Sequence, residues 1–253
     1  MSGEFEGPKT AIVTGGAKRI GAALCRALAE DGWHLLIHCN NSEAEAERLA
    51  AELGNAAVVK ADLAGADAAG RIIAGAAGLP PVKLLVNNAS RFDYDAAGDF
   101  TAESWDAHMA INLRAPVMLA QAFAAHASGG GLIVNLLDAK LANPNPDFFS
   151  YTISKIGLAG ATELMARAFA KRKIRVCGIA PSVTLVSGPQ SRENFAQVHR
   201  LNALRRGVRV EEIVAALRFI VATPTLTGET IILDGGQRFL GLARDVQFLE
   251  PKT

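Results

Sequence analysis

Residues 10–21 read TAIVTGGAKRIG: an apolar run meets Gly15 and Gly16, a basic pair follows at Lys18 and Arg19, and a helical pattern opens near Ile20. Glycine accepts positive φ and lets a second backbone approach closely, as a tight strand-to-helix turn requires. A helix starting there presents unpaired N–H groups and the positive end of its dipole, which suits a pyrophosphate. A glycine pair is weak by itself, so its meaning depends on the chain around it.

Outward from this turn, short Val-, Ile- and Leu-rich runs recur at 11–14, 35–38, 56–59, 84–86, 132–137, 175–179 and 230–233. They do not alternate in polarity, which is how strands buried on both faces read. Between them lie segments with helical period at 21–30, 43–53, 104–126, 156–171 and 211–221. Strands alternating with helices predict right-handed crossovers, hence one α/β domain over 1–253 with a doubly wound, seven-stranded parallel sheet and helices on both faces. The rhythm breaks once, over 180–207, which carries Pro181, Gly188, Pro189, Arg200, Arg205 and Arg206. In such sheets ligands bind beyond the carboxyl ends of the strands, so an insertion at about 182–207 is expected to act as a substrate lid.

Composition narrows the function. The 253 residues hold 26 basic and 25 acidic side chains, a net charge of +1, and half are apolar. This balance argues against a phosphate-neutralising nucleic-acid surface, and 15 aromatic residues (2 Trp, 2 Tyr, 11 Phe) argue against a stacking platform for single strands. Cys25, Cys39 and Cys177 are odd in number, widely spaced and set in apolar sequence, which predicts buried thiols, no metal motif and a reducing, cytoplasmic compartment. MSGEFEGPKT at the N-terminus has no apolar signal core, and no apolar run reaches the roughly 18 residues of a membrane span.

The second strand ends in Ile37-His38-Cys39-Asn40-Asn41-Ser42 without the acid that would accept from a ribose 2′-OH. Asn40, Asn41 and Ser42 can donate to a 2′-phosphate, and Lys18 and Arg19 add positive charge, so the cofactor expected is NADP(H). His34 and His38 read as strand-flanking residues. For chemistry, LIVNLLDAK (132–140) is a buried strand ending at Asp138, and SYTISKIGL (150–158) puts Tyr151 and Lys155 on one helical face. An ammonium beside a phenol is expected to lower the tyrosine pKa and ready it for proton transfer.

These residues together resemble the short-chain dehydrogenases/reductases, over about 9–240 of the chain. The resemblance implies a Rossmann fold. It implies a cofactor turn at Gly15, Lys18, Arg19 and Ile20, and an adenine contact at Asp62 and Leu63. It also implies an Asn-Asn-Ala motif at Asn87, Asn88 and Ala89 and cofactor contacts at Ser90, Pro181 and Thr184. Asn112 would order the lysine and a water chain, Tyr151 and Lys155 would form the catalytic pair, and 233–236 would be the closing turn. Arg19 stands where the family's middle glycine falls, and Asp138 where its catalytic Ser falls, thirteen residues before the tyrosine. Both departures resemble the pteridine reductase branch, including bacterial dihydromonapterin reductases. There the Asp delivers a proton, and the aromatic residue of Asn88-Ala89-Ser90-Arg91-Phe92 stacks on the pterin, giving Phe92 the stacking role and Ser90 a polar contact.

The substitution makes chemical sense. A serine hydroxyl suits a developing alkoxide, whereas a carboxylic acid held protonated near an apolar strand end suits a ring nitrogen that gains a proton as hydride reaches carbon. Three readings stay open at this point: a pterin or C=N reductase, a general carbonyl reductase of 3-oxoacyl thioesters or small ketones, and a non-catalytic NADP-binding sensor. The resemblance further implies a homotetramer or homodimer, packed through helices around 104–126 and 151–172. It leaves Tyr94 unassigned, and for 241–253 it offers only a cover over a neighbouring subunit's pocket.

Overall fold

The seven apolar runs all become strands in a computed structural model, which describes residues 5–187 and 190–249. Gly188, Pro189 and the terminal residues 1–4 and 250–253 lie outside the described residues. The strands are β1 (Thr10–Val13), β2 (His34–Cys39), β3 (Ala56–Lys60), β4 (Val82–Asn87), β5 (Gly131–Leu136), β6 (Ile174–Pro181) and β7 (Thr230–Leu233). They form one parallel sheet in the order β3-β2-β1-β4-β5-β6-β7.

The helices are α1 (Arg19–Glu30), α2 (Glu43–Leu53), α3 (Ala68–Ala74), α4 (Ala102–Met109), α5 (Ala115–His126), α6 (Phe149–Phe169), α7 (Arg192–Val198) and α8 (Val210–Ala222). The stretch 104–126, expected as one helix, is α4 and α5 joined by a π-helical turn at Ala110–Arg114. The added helices α3 and α7 have seven residues each, too few for a period to show in sequence.

Strand alternation splits the core into two layers. On β1, Ala11 and Val13 pack with Leu24 and Leu28 of α1 and Leu217 of α8, while Ile12 faces Ile72 of α3 and Leu119 and Phe123 of α5. Each fully buried Leu or Ile contributes about 1.5–3 kcal/mol, so the site rests on a rigid sheet. The three cysteines are free and buried. The chain winds outward from β1 to β3 and returns to β4 on β1's other side, which opens a crevice at the carboxyl ends of β1 and β4. No helix among the described residues is long and apolar enough to cross a membrane.

Candidate active site

The turn after β1 is held open for a ligand by close backbone contacts. Gly15 has φ of 60°, and a Cβ on it would lie 3.1 Å from the Ala89 Cα. A Cβ on Gly21 would stand 2.2 Å from the Gly15 carbonyl oxygen, so α1 reaches the turn only because no side chain is there. Asn88 braces the turn, its Nδ2 donating to the Thr14 and Gly15 carbonyls at 2.9 and 3.1 Å. No side chain caps the start of α1 at Lys18. That helix end, with Arg19 and Ile20, opens onto a cavity of about 300 Å³. This is the provision a pyrophosphate needs.

Ten of the expected site residues line the cavity: Arg19, Ile20, Asn88, Ser90, Phe92, Asp138, Tyr151, Lys155, Pro181 and Thr184. Gly15 and Ala89 stand behind the turn. Asn40, Asn41 and Ser42 close β2, and the Ser42 hydroxyl makes no capping bond to α2. Asp62 is exposed and accepts from the Ala64 N–H at 2.9 Å. Two of the expected residues have side chains engaged within the protein. Leu63 is buried in the core, leaving only its backbone for contact with a ligand. Lys18 does not stand free, because Glu45 pairs with it at 2.7 Å. Arg19 takes φ of 54° and donates to the Val186 carbonyl at 2.7 Å, tying the turn to the 182–187 segment.

At the inner wall, the end of β5 delivers Asp138, and the first and second turns of α6 deliver Tyr151 and Lys155. The Tyr151 hydroxyl donates to Asp138 Oδ2 at 2.7 Å, and Asp138 Oδ1 accepts from the Lys140 N–H at 2.8 Å. Loss of solvent pushes the Asp138 carboxyl above its ordinary range. The tyrosine differs from expectation. Burial, and then the neighbouring Asp138 carboxylate, raise its pKa well above 10.0. Lys155 cannot offset this. Its Nζ lies 5.8 Å from the ring centre and donates to the Leu136 carbonyl at 2.7 Å, while burial lowers its own pKa to about 8.

Asn112 braces a neighbouring loop. It sits fully buried in the π-helical turn, and its side chain joins the Arg91 backbone N–H and C=O (2.8 and 2.9 Å) to the Ser154 hydroxyl at 3.1 Å. It therefore fixes the Ser90–Phe92 loop against α6, and its side-chain bonds do not run to Lys155. Phe92 faces the cavity edge-on to Tyr151 (4.7 Å) and is backed by Phe148 in a 4.2 Å stack. Tyr94 packs edge-on against Phe148 and Phe248.

The reading of the sequence missed the cavity's outer wall. Lys140, Asn143, Asp234 and Arg238 line it, together with Leu242, Asp245, Val246 and Gln247 from the C-terminal segment. That segment lines the pocket of its own chain. Local sequence carried no signal for it, because its partners lie about a hundred residues away, as in Lys140 with Asp245. Among the described residues no cluster of three or more His, Cys, Asp or Glu could hold a metal.

The model of the family described as short chain dehydrogenase matches residues 9–199. A crystal structure titled FolM alternative dihydrofolate reductase 1 from Brucella canis, complexed with NADP, superposes with a TM-score of 0.87 at 40% identity, covering 91% of this chain and 94% of that one. A probable galactose dehydrogenase of Rhizobium meliloti is 34% identical over 89% of this chain and 93% of its own. A 3-oxoacyl-[acyl-carrier-protein] reductase of Synechocystis is 27% identical over 90% and 95%.

Proposed function

The chain belongs to the short chain dehydrogenase family, and we propose that it is an NADPH-dependent reductase of a C=N bond in a pterin or related heterocycle. The observation that carries this reading is Asp138 bonded to Tyr151 at 2.7 Å, with both groups pushed toward their protonated forms. A C=N reduction consumes one hydride at carbon and one proton at nitrogen, and this pair holds protons at the cavity wall. The structural neighbour crystallised with NADP supports both the cofactor and the substrate class.

The residues present fit such a dinucleotide: an uncapped helix end at a glycine turn, Arg19 beside it, and Asn40, Asn41 and Ser42 at the end of β2 without an acid. The bound reduced nicotinamide supplies the hydride. Lys155 would hold the ribose hydroxyls of the bound cofactor, and Thr184 and Pro181 would bound its nicotinamide end. Phe92 presents a ring face to a flat heterocycle and Ser90 a hydroxyl to its polar edge. Tyr151 passes its proton to the substrate nitrogen and is reprotonated from Asp138. The 182–207 segment acts as lid, and copies of the chain assemble as a homotetramer in the cytoplasm.

Purified protein with NADPH, offered dihydrobiopterin, dihydromonapterin, dihydrofolate and acetoacetyl thioester, is expected to oxidise NADPH with the pterins. Turnover of the thioester alone would replace this reading with carbonyl reduction, the activity named for the Synechocystis relative. Binding of NADPH without turnover of any of them would favour a sensor.

A further inference from the structure

The C-terminal segment is fixed by polar links that converge beside Asp138. Asp147, just before α6, is 5% exposed, and its carboxylate accepts from Arg244 Nε at 2.8 Å and from the Asp245 N–H at 2.7 Å. Asp245 uses one oxygen to cap the short turn Val246–Phe248, accepting from the Gln247 N–H at 3.1 Å. Its other oxygen lies 3.4 Å from Lys140 Nζ, which also donates to the Asp147 carbonyl at 2.5 Å. Lys140 is two residues from Asp138, and its backbone N–H holds the Asp138 carboxylate. Apolar contacts close the assembly: Val246 is buried, and Phe248 packs on Phe148 with ring centres 5.9 Å apart. Gln247 reaches Ser187 of the 182–187 segment at 3.3 Å. This one segment therefore touches the turn after Asp138, the entrance to α6 and the base of the loop expected as lid, three parts of the cavity's wall.

We propose that residues 242–248 are a strap that completes the substrate pocket of their own chain, latched by Arg244 on Asp147, and that Asp245 on this strap is a positioning residue for the Asp138–Tyr151 pair. Through Lys140 it fixes the backbone that holds Asp138, and its carboxylate keeps the Lys140 cation from drawing the Asp138 proton away. The charged and titratable groups facing the pair are Lys140 on its own turn, Lys155 on α6, Asp245 on the strap and the buried His108 of α4, whose ring centre lies 6.4 Å from that of Tyr151. Arg244 is paired with Asp147, and Arg238 with Asp234 at 2.8 Å, one layer further out. The proposal rests on Asp138 acting as an acid, the reading given above, but does not depend on the substrate being a pterin.

The sign of the effect follows. Asp245→Asn removes a negative neighbour and leaves Lys140 unpaired, and both changes favour ionised Asp138. Reductase turnover needs Asp138 protonated and falls as pH rises through its pKa. The alkaline fall of kcat should therefore move to lower pH in Asp245→Asn, by about 0.5–1 unit. The half-exposed Arg244 can be replaced without a core defect, and Arg244→Ala, which frees Asp245 along with the strap, should raise KM about tenfold and move the alkaline fall of kcat in the same direction as Asp245→Asn, with kcat on the acid side of that fall nearly unchanged and NADPH affinity intact. Both are measured on whichever compound of the panel is turned over, so a wrong substrate class does not disturb the comparison with the parent chain. Hydrogen exchange of the NADPH-bound protein needs no substrate: the Asp245 and Gln247 amides should be protected in the parent and exposed in Arg244→Ala. Unprotected amides in the parent, or an unshifted pH profile together with an unchanged KM, would overturn the proposal.

Discussion

At the scale of single residues, the site turns on which charge lies nearest the Tyr151 oxygen. The four-residue spacing to Lys155 was legible in sequence, and so was Asp138 at the end of an apolar strand. Their combined effect was not, because burial, and then the carboxylate within hydrogen-bond distance, outweigh an ammonium engaged by the Leu136 carbonyl. The resting tyrosine is thus a phenol. Tyr151→Phe, which removes only the hydroxyl, should lower kcat by about 10²–10⁴, the usual share of a positioned proton donor, while NADPH titration by fluorescence stays within about twofold. A comparable loss of NADPH affinity would mean the tyrosine serves binding instead.

Lys155 makes the opposite case, a residue kept at a cost to the fold. Its pKa falls from 10.5 to about 8. The charged form is therefore disfavoured in the folded state, and stability is lost as pH falls from the ordinary lysine value toward 8, then stays low through neutral pH. The shift corresponds to about 3 kcal/mol, and the hydrogen bond to the Leu136 carbonyl restores about 1. Lys155→Met should stabilise the cofactor-free protein at pH 7 by about 1–2 kcal/mol, read as a higher midpoint in urea, and abolish turnover. A destabilised variant would show that the ammonium is better solvated than its burial implies.

At the scale of elements, the long regular pieces were readable and the joints were not. All seven strands fall within two residues of their sequence positions at each end, since apolar runs flanked by helices leave few alternatives. The π-helical turn at Ala110–Arg114 has no local signature. It exists to aim Asn112 at the Arg91 backbone and Ser154, a tertiary demand. Asn112→Ala removes the bonds that hold the part-buried Arg91 N–H and carbonyl and one of the two bonds of the Ser154 hydroxyl, which keeps its donation to the Tyr151 carbonyl, and should cost about 1–3 kcal/mol in urea unfolding, with KM rising as the Phe92 loop loosens. The joint at Arg19 behaves differently. A non-glycine residue at φ of 54° carries about 1 kcal/mol of strain, so Arg19→Gly should leave stability unchanged or slightly raised. It also removes a cation and the tie to Val186, so NADPH affinity should fall about tenfold while NADH affinity changes little. Equal losses for the two cofactors would place Arg19 away from the 2′-phosphate.

At the scale of the whole molecule, the sheet order puts the crevice where the sequence placed it, but one chain leaves much apolar surface uncovered. Met118 of α5 and Ile156 and Leu164 of α6 are 45%, 45% and 68% exposed, on the two helices expected to pack between subunits. Phe219 of α8 and Ile232 of β7 are 55% and 39% exposed at the β7 edge of the sheet. Scattered apolar residues are ordinary on a surface, but apolar side chains gathered on two separate faces are what a closed assembly with two kinds of contact would bury. Light scattering at micromolar concentration should therefore give four times the 26.6 kDa chain mass. Leu164→Glu places a charge in the middle of the α5–α6 face and leaves the α8–β7 face intact, so it should give a dimer, not a monomer. The catalytic cavity is built within one chain, so that dimer should retain NADPH binding. A parent protein that runs as a monomer would sink the assembly, and a Leu164→Glu variant that remains tetrameric would remove the α5–α6 face from it.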